Sequence, residues 1–269
     1  MNREVEVMTA LQKQALVDAL SSARQTGALV PKPEFSFDLA QAYAIQMEVA
    51  ARLDASQIGW KVGSTSEKAQ ARLGTSEPGA GPLLQSLCFA SGANIAVHTV
   101  HQVQVEVEFA FRLSADLGPR RASYTAEEVA GAVGTFMPAF EFVGSRFVGG
   151  LAGGGREQVT ADGGANVAFA YGDEMVLPPR LDLADHVCTL QINATTIATG
   201  QGSAALGHPY NVLAWLANFR SRNGAGLRSG EIVTTGTCTG LVDVAPGDEV
   251  IGDFGSLGQV RVTLSEAYN

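Results

Sequence analysis

Cysteine is scarce in this 269-residue sequence, with single cysteines at positions 88, 188 and 238. An odd number of widely spaced cysteines argues against a disulfide framework and is typical of a reducing compartment. No two cysteines have the spacing of a zinc site, and the four histidines do not form a ligand pattern. We therefore expect the cysteines to be small, unpaired core residues.

Long apolar runs and basic clusters are also missing. The first residues, MNREVE, lack the apolar core of a signal peptide, and no apolar run has the length of about 20 residues that spans a membrane. The net charge is −9, and lysine and arginine form no run. Nucleic acids and anionic membranes bind basic patches, so we expect neither as a partner. These features predict a cytoplasmic protein.

The chain changes character near residue 57. Apolar residues recur at helical spacing over residues 9–28 and 37–55, with Ser36 or Asp38 as the cap of the second helix. Short strands separated by glycine turns follow. We expect an α+β protein with an N-terminal helical layer at 1–57 and a β-rich catalytic unit at 58–269, packed as one body.

Local signals place several elements in the second part. Residues 66–73 predict a short helix, and the Gly-, Pro- and Ser-rich residues after it, up to Ser86, predict a mobile flap over a site. The capping box TAEE at 125–128 and Pro209 each predict the start of a helix. Residues 187–199 predict a hairpin, and strands are expected at 232–235, 249–254 and 260–264.

Residues 103–113 (VQVEVEFAFRL) alternate between apolar and polar side chains, which is the pattern of a strand with one buried face. Glu106 and Glu108 therefore point the same way, with Cα atoms roughly 6.5–7 Å apart. Two interpretations fit: a solvated sheet face, where alternate acids need no partner, or two carboxylates that share a cation.

A third acid favours the cation. Glu141 lies between Phe140 and Phe142 in the apolar run MPAFEFV, where a carboxylate is costly to bury without a cation or several donors. Three carboxylates on two strands suit a hard divalent ion such as Mg²⁺ or Mn²⁺, which keeps its other positions for water or substrate.

Seven short motifs occur in a specific order: GWKVGSTS at 59–66, VEVEFAF at 105–111, PAFEFVGSR at 138–146, AD at 161–162, LGHP at 206–209, WLAN at 215–218 and GEIVTTG at 230–236. In this order they resemble the 2-keto-4-pentenoate hydratase and 4-oxalocrotonate decarboxylase family of the fumarylacetoacetate hydrolase superfamily. No single motif is decisive, but the ordered set is specific, and the resemblance covers nearly the whole chain.

The resemblance implies a β-rich mixed roll with N-terminal helices, assembled into a homo-oligomer, with a paralogous decarboxylase subunit as a further partner. It makes Glu106, Glu108 and Glu141 the ligands of Mg²⁺ or Mn²⁺. It also puts Lys61 beside the carboxylate of a small 2-oxo acid and residues 66–74 on a closing flap. Members of the family add water to 2-hydroxy-2,4-dienoates from aromatic-ring degradation, and near relatives decarboxylate 4-oxalocrotonate-like diacids.

The sequence departs from the family at one motif. The family pattern Ala-Asp-Asn-Ala-Ser is replaced here by ADGGA at 161–165, so an asparagine is missing at Gly163 and a serine at Ala165. If the serine orients water or substrate in relatives, this chain either uses another donor, such as Asn166 or Thr160, or acts on another substrate.

Other candidate site residues each have two interpretations. Lys61 is either a strand lysine that reaches the surface or, near a metal, an anion anchor or proton carrier with a depressed pKa. Arg146 binds a substrate carboxylate or pairs with a core acid such as Glu141. Asp162 touches the site or caps a turn. The candidate substrate-binding residues are Ser66 on the flap and Thr237 in a glycine-bounded turn.

Hydration of a 2-hydroxy-2,4-dienoate is the favoured activity, and three alternatives remain. Decarboxylation of a 2-oxo-3-enedioate needs a second carboxylate pocket, for which Arg146 is the only obvious cation near a motif. Acylpyruvate cleavage uses a His-Glu pair on the flap in that branch, and residues 64–75 contain no histidine. A catalytically silent metal-binding subunit would suit the missing serine.

Overall fold

The structure is a computed structural model that describes residues 6–53 and 56–268. Helices in these ranges are α1 (Ala10–Thr26), α2 (Leu39–Leu53), α3 (Glu67–Leu73), α4 (Ala126–Ala130), α5 (Arg156–Ala161) and α6 (Pro209–Arg222). Strands are β1 (Glu6–Val7), β2 (Phe35–Ser36), β3 (Gln57–Gly63), β4 (Gly79–Leu84), β5 (Cys88–Ala90), β6 (Asn94–Val97), β7 (Gln104–Leu113), β8 (Val133–Val143), β9 (Asn166–Tyr171), β10 (Val187–Ile192), β11 (Thr195–Gln201), β12 (Ile232–Thr237), β13 (Val242–Asp243), β14 (Glu249–Asp253) and β15 (Gln259–Glu266).

Two mixed sheets form the body of the molecule. The eight-stranded sheet has the order β4-β3-β12-β7-β8-β9-β5, with β13 paired to β7, and the five-stranded sheet has the order β11-β10-β14-β15-β6. Parallel pairs, such as β3 with β12 and β6 with β15, occur among antiparallel ones. The mixed sheets and the N-terminal helices confirm the predicted α+β class.

The main hydrophobic core lies between these sheets. Alternate residues of β7, including Phe109 and Phe111, are fully buried in one cluster with aliphatic residues of β14 and β15. The Phe109 ring meets the Phe254 ring edge to face, with centroids 5.0 Å apart. Because side chains alternate along a strand, this packing turns Glu106 and Glu108 to the other face of β7.

The N-terminal helices share a core with the β-rich part. Thr9 caps α1 in a capping box, and Asp38, one of the two predicted caps, accepts a hydrogen bond from the Gln41 N–H at 2.8 Å before α2 begins. Apolar residues of α1 and α2 pack in one cluster with Phe147 and Ala161. The layer is therefore continuous with the rest of the molecule, and a domain boundary at residue 57 stays a prediction.

The predicted helix is confirmed as α3, its role as a flap stays a prediction, and the mobile segment expected after it is wrong for β4. The Ser66 Oγ accepts a hydrogen bond from the Ala69 N–H at the start of α3, which buries none of its own residues. In contrast, β4 pairs with β3 and is mostly buried. A Cβ at Gly81 would lie 2.8 Å from the Gly163 carbonyl oxygen, so this glycine reflects close backbone packing rather than mobility.

Other local predictions agree with the structure. The capping box at Thr125 starts α4, β10 and β11 form the hairpin, and Pro209 starts α6. Cys188 and Cys238 are buried, Cys88 is half-buried, and none of the three is in a disulfide. Among the described residues, no helix combines the length and apolar character needed to cross a bilayer.

A substitution at Gly59 tests the close contact between β3 and β12. A Cβ at Gly59 would lie 1.9 Å from the Ile232 carbonyl oxygen. We expect Gly59→Ala to lower the free energy of unfolding by about 1–3 kcal/mol, because the strands must move apart. Urea denaturation measures this loss. Gly118→Ala is the control, because its Cβ would meet nothing within 4 Å. Equal stability of the two variants would contradict the packing of β3 on β12.

Candidate metal and substrate site

Three carboxylates meet on the face of the large sheet that is turned away from the main core. In the antiparallel ladder of β7 and β8, Glu106 stands directly opposite Glu141. Glu108, two residues along β7, faces the same way and pairs in register with Thr237 of β12. One carboxylate oxygen from each glutamate lies within 4.8 Å of the others, which is a spacing that can hold a metal ion.

Two buried oxygens of this cluster, one on Glu108 and one on Glu141, have no hydrogen-bond partner within the described residues. The Gly236 N–H donates to Glu108 Oε2 at 2.9 Å, and the Asn166 side chain donates to Glu141 Oε1 at 3.0 Å. The other oxygens, Glu108 Oε1 and Glu141 Oε2, are buried without a donor. A buried carboxylate oxygen without a donor is costly, and a hard cation with oxygen ligands removes that cost. These residues therefore fit a divalent ion.

Burial and mutual repulsion raise the pKa values of two of the acids. Burial, followed by the charge of Glu141, raises the pKa of Glu106 to about 7. Burial and the charges of Glu141 and Glu106 raise the pKa of Glu108 well above its usual value. A solvated face would not have this effect, so the structure excludes the interpretation of Glu106 and Glu108 as surface acids.

Lys61 is buried beside the acids and does not reach the surface. Its Nζ lies 3.1 Å from Glu141 Oε1 and donates to the Gly164 carbonyl oxygen at 2.8 Å. Burial alone would lower the pKa of Lys61, but the charges of Glu141, Glu106 and Glu108 outweigh it and raise the pKa. The depression of this pKa was expected from a nearby metal and stays a prediction, because the protein groups alone have the opposite effect.

The loop that receives Lys61 is the one that departs from the family pattern. Gly163, Gly164 and Ala165 all have left-handed backbones, with φ of 70°, 66° and 66°. A Cβ at Gly163 would lie 2.4 Å from Nη2 of Arg24, so the glycine leaves room for that guanidinium. The left-handed turn aims the Gly164 carbonyl at Lys61.

Arg146 and Asp162 form a buried ion pair instead of lining the cavity. Arg146 Nε donates to Asp162 Oδ1 at 2.6 Å, and its remaining nitrogens donate to the carbonyl oxygens of Asp162 and Asn166. Arg24 Nη2 donates to the Asp162 carbonyl at 2.7 Å. The prediction that Arg146 and Asp162 are catalytic is not supported, because their polar groups hold the loop. Arg146 also does not pair with Glu141.

The two predicted substrate-binding residues are engaged elsewhere. The Ser66 hydroxyl caps α3, and Thr237 Oγ1 exchanges hydrogen bonds with the backbone of Gly240. Neither lines the cavity beside the carboxylates. Both predictions are corrected for the same reason, because each hydroxyl binds the backbone of its own turn. Ser64, whose left-handed backbone precedes α3, lines the cavity instead.

The cavity beside the acids has a polar end and an apolar wall. Lys61, Glu106 and Gly164 line it together with Thr160 and Ala165. Its other lining residues include Arg72 and Leu73 of α3, Arg156 and Val159 of α5, and the apolar residues Val143, Leu151 and Leu241. Of the two donors proposed for the missing serine, Thr160 lines the cavity, whereas Asn166 binds Glu141.

Residues 61–265 match the family model described as fumarylacetoacetate (FAA) hydrolase C-terminal. This match covers more than half of the chain. The chain belongs to the fumarylacetoacetate hydrolase family. It is 33% identical to the 2-keto-4-pentenoate hydratase of Paraburkholderia xenovorans (strain LB400) in an alignment 269 positions long that covers 94% of this chain and 95% of the relative.

Two further relatives place the chain within the family. The 2-hydroxyhexa-2,4-dienoate hydratase of Comamonas testosteroni is 32% identical over 262 residues, covering 95% of this chain and 97% of the relative. The solved structure of 4-oxalocrotonate decarboxylase from Pseudomonas putida G7, complexed with magnesium and adipate, matches with a TM-score of 0.86 and 26% identity. That match covers 96% of this chain and 99% of the decarboxylase, so the resemblance seen in the motifs is confirmed.

Sequence reasoning missed Arg24, Arg72 and Arg156. Arg156 follows the glycine-rich residues 148–155, which predicted only a flexible loop. Its buried guanidinium donates to the carbonyls of Glu77 and Pro78 and so fixes the end of the flap. Arg24 lies in the middle of an ordinary amphipathic helix pattern. No local signal distinguishes these arginines from surface residues, because their partners are distant in sequence.

Asp162 tests whether the buried pair is structural. We expect Asp162→Asn to lower the free energy of unfolding by about 3–5 kcal/mol, because it leaves Arg146 without its buried counter-charge. Chemical denaturation measures the change, and Asp173→Asn, at an exposed position, is the matched control. A variant as stable as the control that nevertheless loses activity would return Asp162 to the catalytic role.

Proposed function

We propose that this protein is a metal-dependent hydro-lyase that adds water to a 2-hydroxy-2,4-dienoate and gives a 4-hydroxy-2-oxo acid. The observation that carries the proposal is the cluster of Glu106, Glu108 and Glu141 beside Lys61 at a partly open cavity. Relatives that are 30–33% identical over most of the chain are named as hydratases of such dienoates. Their names also support a role in aromatic catabolism.

We propose that Glu106, Glu108 and Glu141 hold Mg²⁺ or Mn²⁺. When bound, such an ion supplies Lewis acidity and positive charge next to the 2-oxo and carboxylate oxygens of a substrate. The binding of magnesium by the 4-oxalocrotonate decarboxylase with the same fold supports this assignment. We also expect a homo-oligomer, as in the sequence analysis.

Lys61 is our candidate for binding the substrate carboxylate and for moving protons. Its ammonium lies at the polar end of the cavity, and the carbonyl of Gly164 and the carboxylate of Glu141 hold it in place. The dienol first takes a proton at its terminal carbon and becomes a conjugated 2-oxo-3-enoate. Water then adds its hydroxyl at C4 and its proton at C3. The apolar side chains of Leu151 and Leu241 shield the carbon chain of the substrate from bulk water.

The alternative activities have less support. Arg146, the cation that the sequence analysis assigned to the second carboxylate of a decarboxylase substrate, is buried in its pair with Asp162, so a decarboxylase would need another cation for that carboxylate. Residues 64–75, which include α3, contain no histidine, so the His-Glu pair of the acylpyruvate hydrolases is missing from the flap. A silent metal-binding subunit would need the three acids but not Lys61, which this chain retains beside them.

Glu108→Gln tests the metal site without an activity assay. The amide can still accept from the Gly236 N–H, so we expect this variant to be at least as stable as the natural protein in the absence of divalent ions. Added Mn²⁺ should raise the melting temperature of the natural protein in a concentration-dependent way and leave the variant unchanged. Glu34→Gln, at an exposed position, is the control. An equal response in Glu108→Gln would remove Glu108 from the ligand set.

Turnover tests the reaction class. With Mg²⁺ present, we expect loss of the absorbance of 2-hydroxypenta-2,4-dienoate without release of CO₂, and no CO₂ from 2-oxo-3-hexenedioate. Lys61→Gln should lower kcat/KM by about 10²–10⁴-fold if Lys61 moves protons. Lys68→Gln, which removes an exposed lysine of α3, should be nearly neutral. Release of CO₂ from the enedioate would instead establish the decarboxylase, and turnover of neither compound would favour the silent subunit.

A further inference from the structure

Helix α3 presents one charged side chain to the cavity. Ala69, Arg72 and Leu73 all line it, and their spacing of three and four residues places them on one face of the helix. Because α3 buries none of its residues, this face is held by few contacts. The flap therefore offers the cavity one guanidinium beside an apolar surface.

Arg72 has no hydrogen bond or ion pair to any residue that the structure describes. By contrast, the side chains of Arg112 and Arg120 each bind a glutamate at 2.6 Å. The charge of Arg72 lowers the pKa of Glu106, so the guanidinium lies close enough to act on the site. A free guanidinium at a cavity is suited to a carboxylate, which it can bind through two parallel hydrogen bonds.

Arg156 adds a second positive charge to the same cavity. Its side chain is buried, and its terminal nitrogens donate only to neutral oxygens, those of Thr75, Glu77 and Pro78. Its Nε is buried and has no partner in the described part of the chain. The positive charge of Arg156 is therefore not neutralised by an ion pair.

The charges around the cavity indicate the charge of the substrate. Three carboxylates face three cationic side chains, so the protein groups balance one another: Glu106, Glu108 and Glu141 against Lys61, Arg72 and Arg156. A divalent ion at the carboxylates adds two positive charges. A monocarboxylate leaves one of these charges uncompensated in a partly closed site, whereas a dicarboxylate cancels both.

We propose that the substrate is a dicarboxylate, and that Arg72 binds its second carboxylate from the flap. This inference rests on the proposed function, because it specifies the distal end of the dienoate that the site hydrates. Leu73 and Val159 cover the hydrocarbon chain between the two carboxylates. Arg72 is thus a specificity-determining residue that recognises a negative charge at the far end of the substrate.

Binding of saturated 2-oxo acids tests the inference separately from the reaction. The matched probes are 2-oxoadipate and 2-oxohexanoate, which have the same chain length and differ only by a terminal carboxylate in place of a methyl group. Neither has a double bond to hydrate. In calorimetric titrations of the Mn²⁺-loaded protein, we expect 2-oxoadipate to bind at least about tenfold tighter, as one charge-assisted hydrogen-bonded pair provides. Arg72→Gln should bring the two affinities to near parity, and Arg72→Lys should restore part of the preference.

Lys68→Gln is the matched control, because it removes one positive charge from α3 at an exposed position that does not line the cavity. An equal loss of preference in this variant would mean that the general field of the flap is responsible and would overturn the role of Arg72. Equal or tighter binding of 2-oxohexanoate by the natural protein, or binding of neither acid, would overturn the dicarboxylate. Failure of the proposed hydration is recognised independently: a 2-hydroxy-2,4-dienedioate would then bind the Mg²⁺-loaded protein without being hydrated.

Discussion

Repulsion between Glu106 and Glu141, which face each other across the β7–β8 ladder, is the constraint on which the rest of the site depends. Like charges in directly opposed positions destabilise a sheet. The register is nevertheless fixed, because a shift by one residue would turn Phe109 and its neighbours away from the main core. The hydrophobic core on one face of β7 therefore holds the acids together on the other.

Hydrogen-bond donors and a lysine around the acids offset part of this repulsion. Lys61 and the Asn166 amide both contact Oε1 of Glu141, and the Gly236 N–H donates to Oε2 of Glu108. Lys61 is in turn held by the Gly164 carbonyl, which projects from a left-handed turn. These contacts leave one buried oxygen of Glu108 and one of Glu141 without a donor, and a cation can bind there. A fully satisfied cluster would have no such place.

The sequence predicted what depends on alternation and composition. The period of two along β7 placed Glu106 and Glu108 on one face, and Glu141 in an apolar run indicated a buried charge. It did not predict the partners of Arg146 and Asp162, because an arginine near a motif has the same local pattern whether it binds a substrate or a buried aspartate. Likewise, the glycines of β4 predicted mobility where they instead permit close packing.

The departure at residues 163–165 is explained by Arg24, which lies far away in sequence. A side chain at Gly163 would collide with the guanidinium of Arg24, which extends from α1 and donates to the Asp162 carbonyl oxygen next to the loop. The Arg24 guanidinium thus stabilises the loop by donating to the carbonyl oxygens of Asp162 and Asn166 on either side of it. Ala165 lacks the hydroxyl of the family's serine, but Thr160, which lines the same cavity, carries one. Since the turn still directs the Gly164 carbonyl to Lys61, the change in sequence preserves the contact that orients the ammonium. The two glycines of this loop therefore leave room for Arg24 beside residue 163 and for Lys61 beside residue 164.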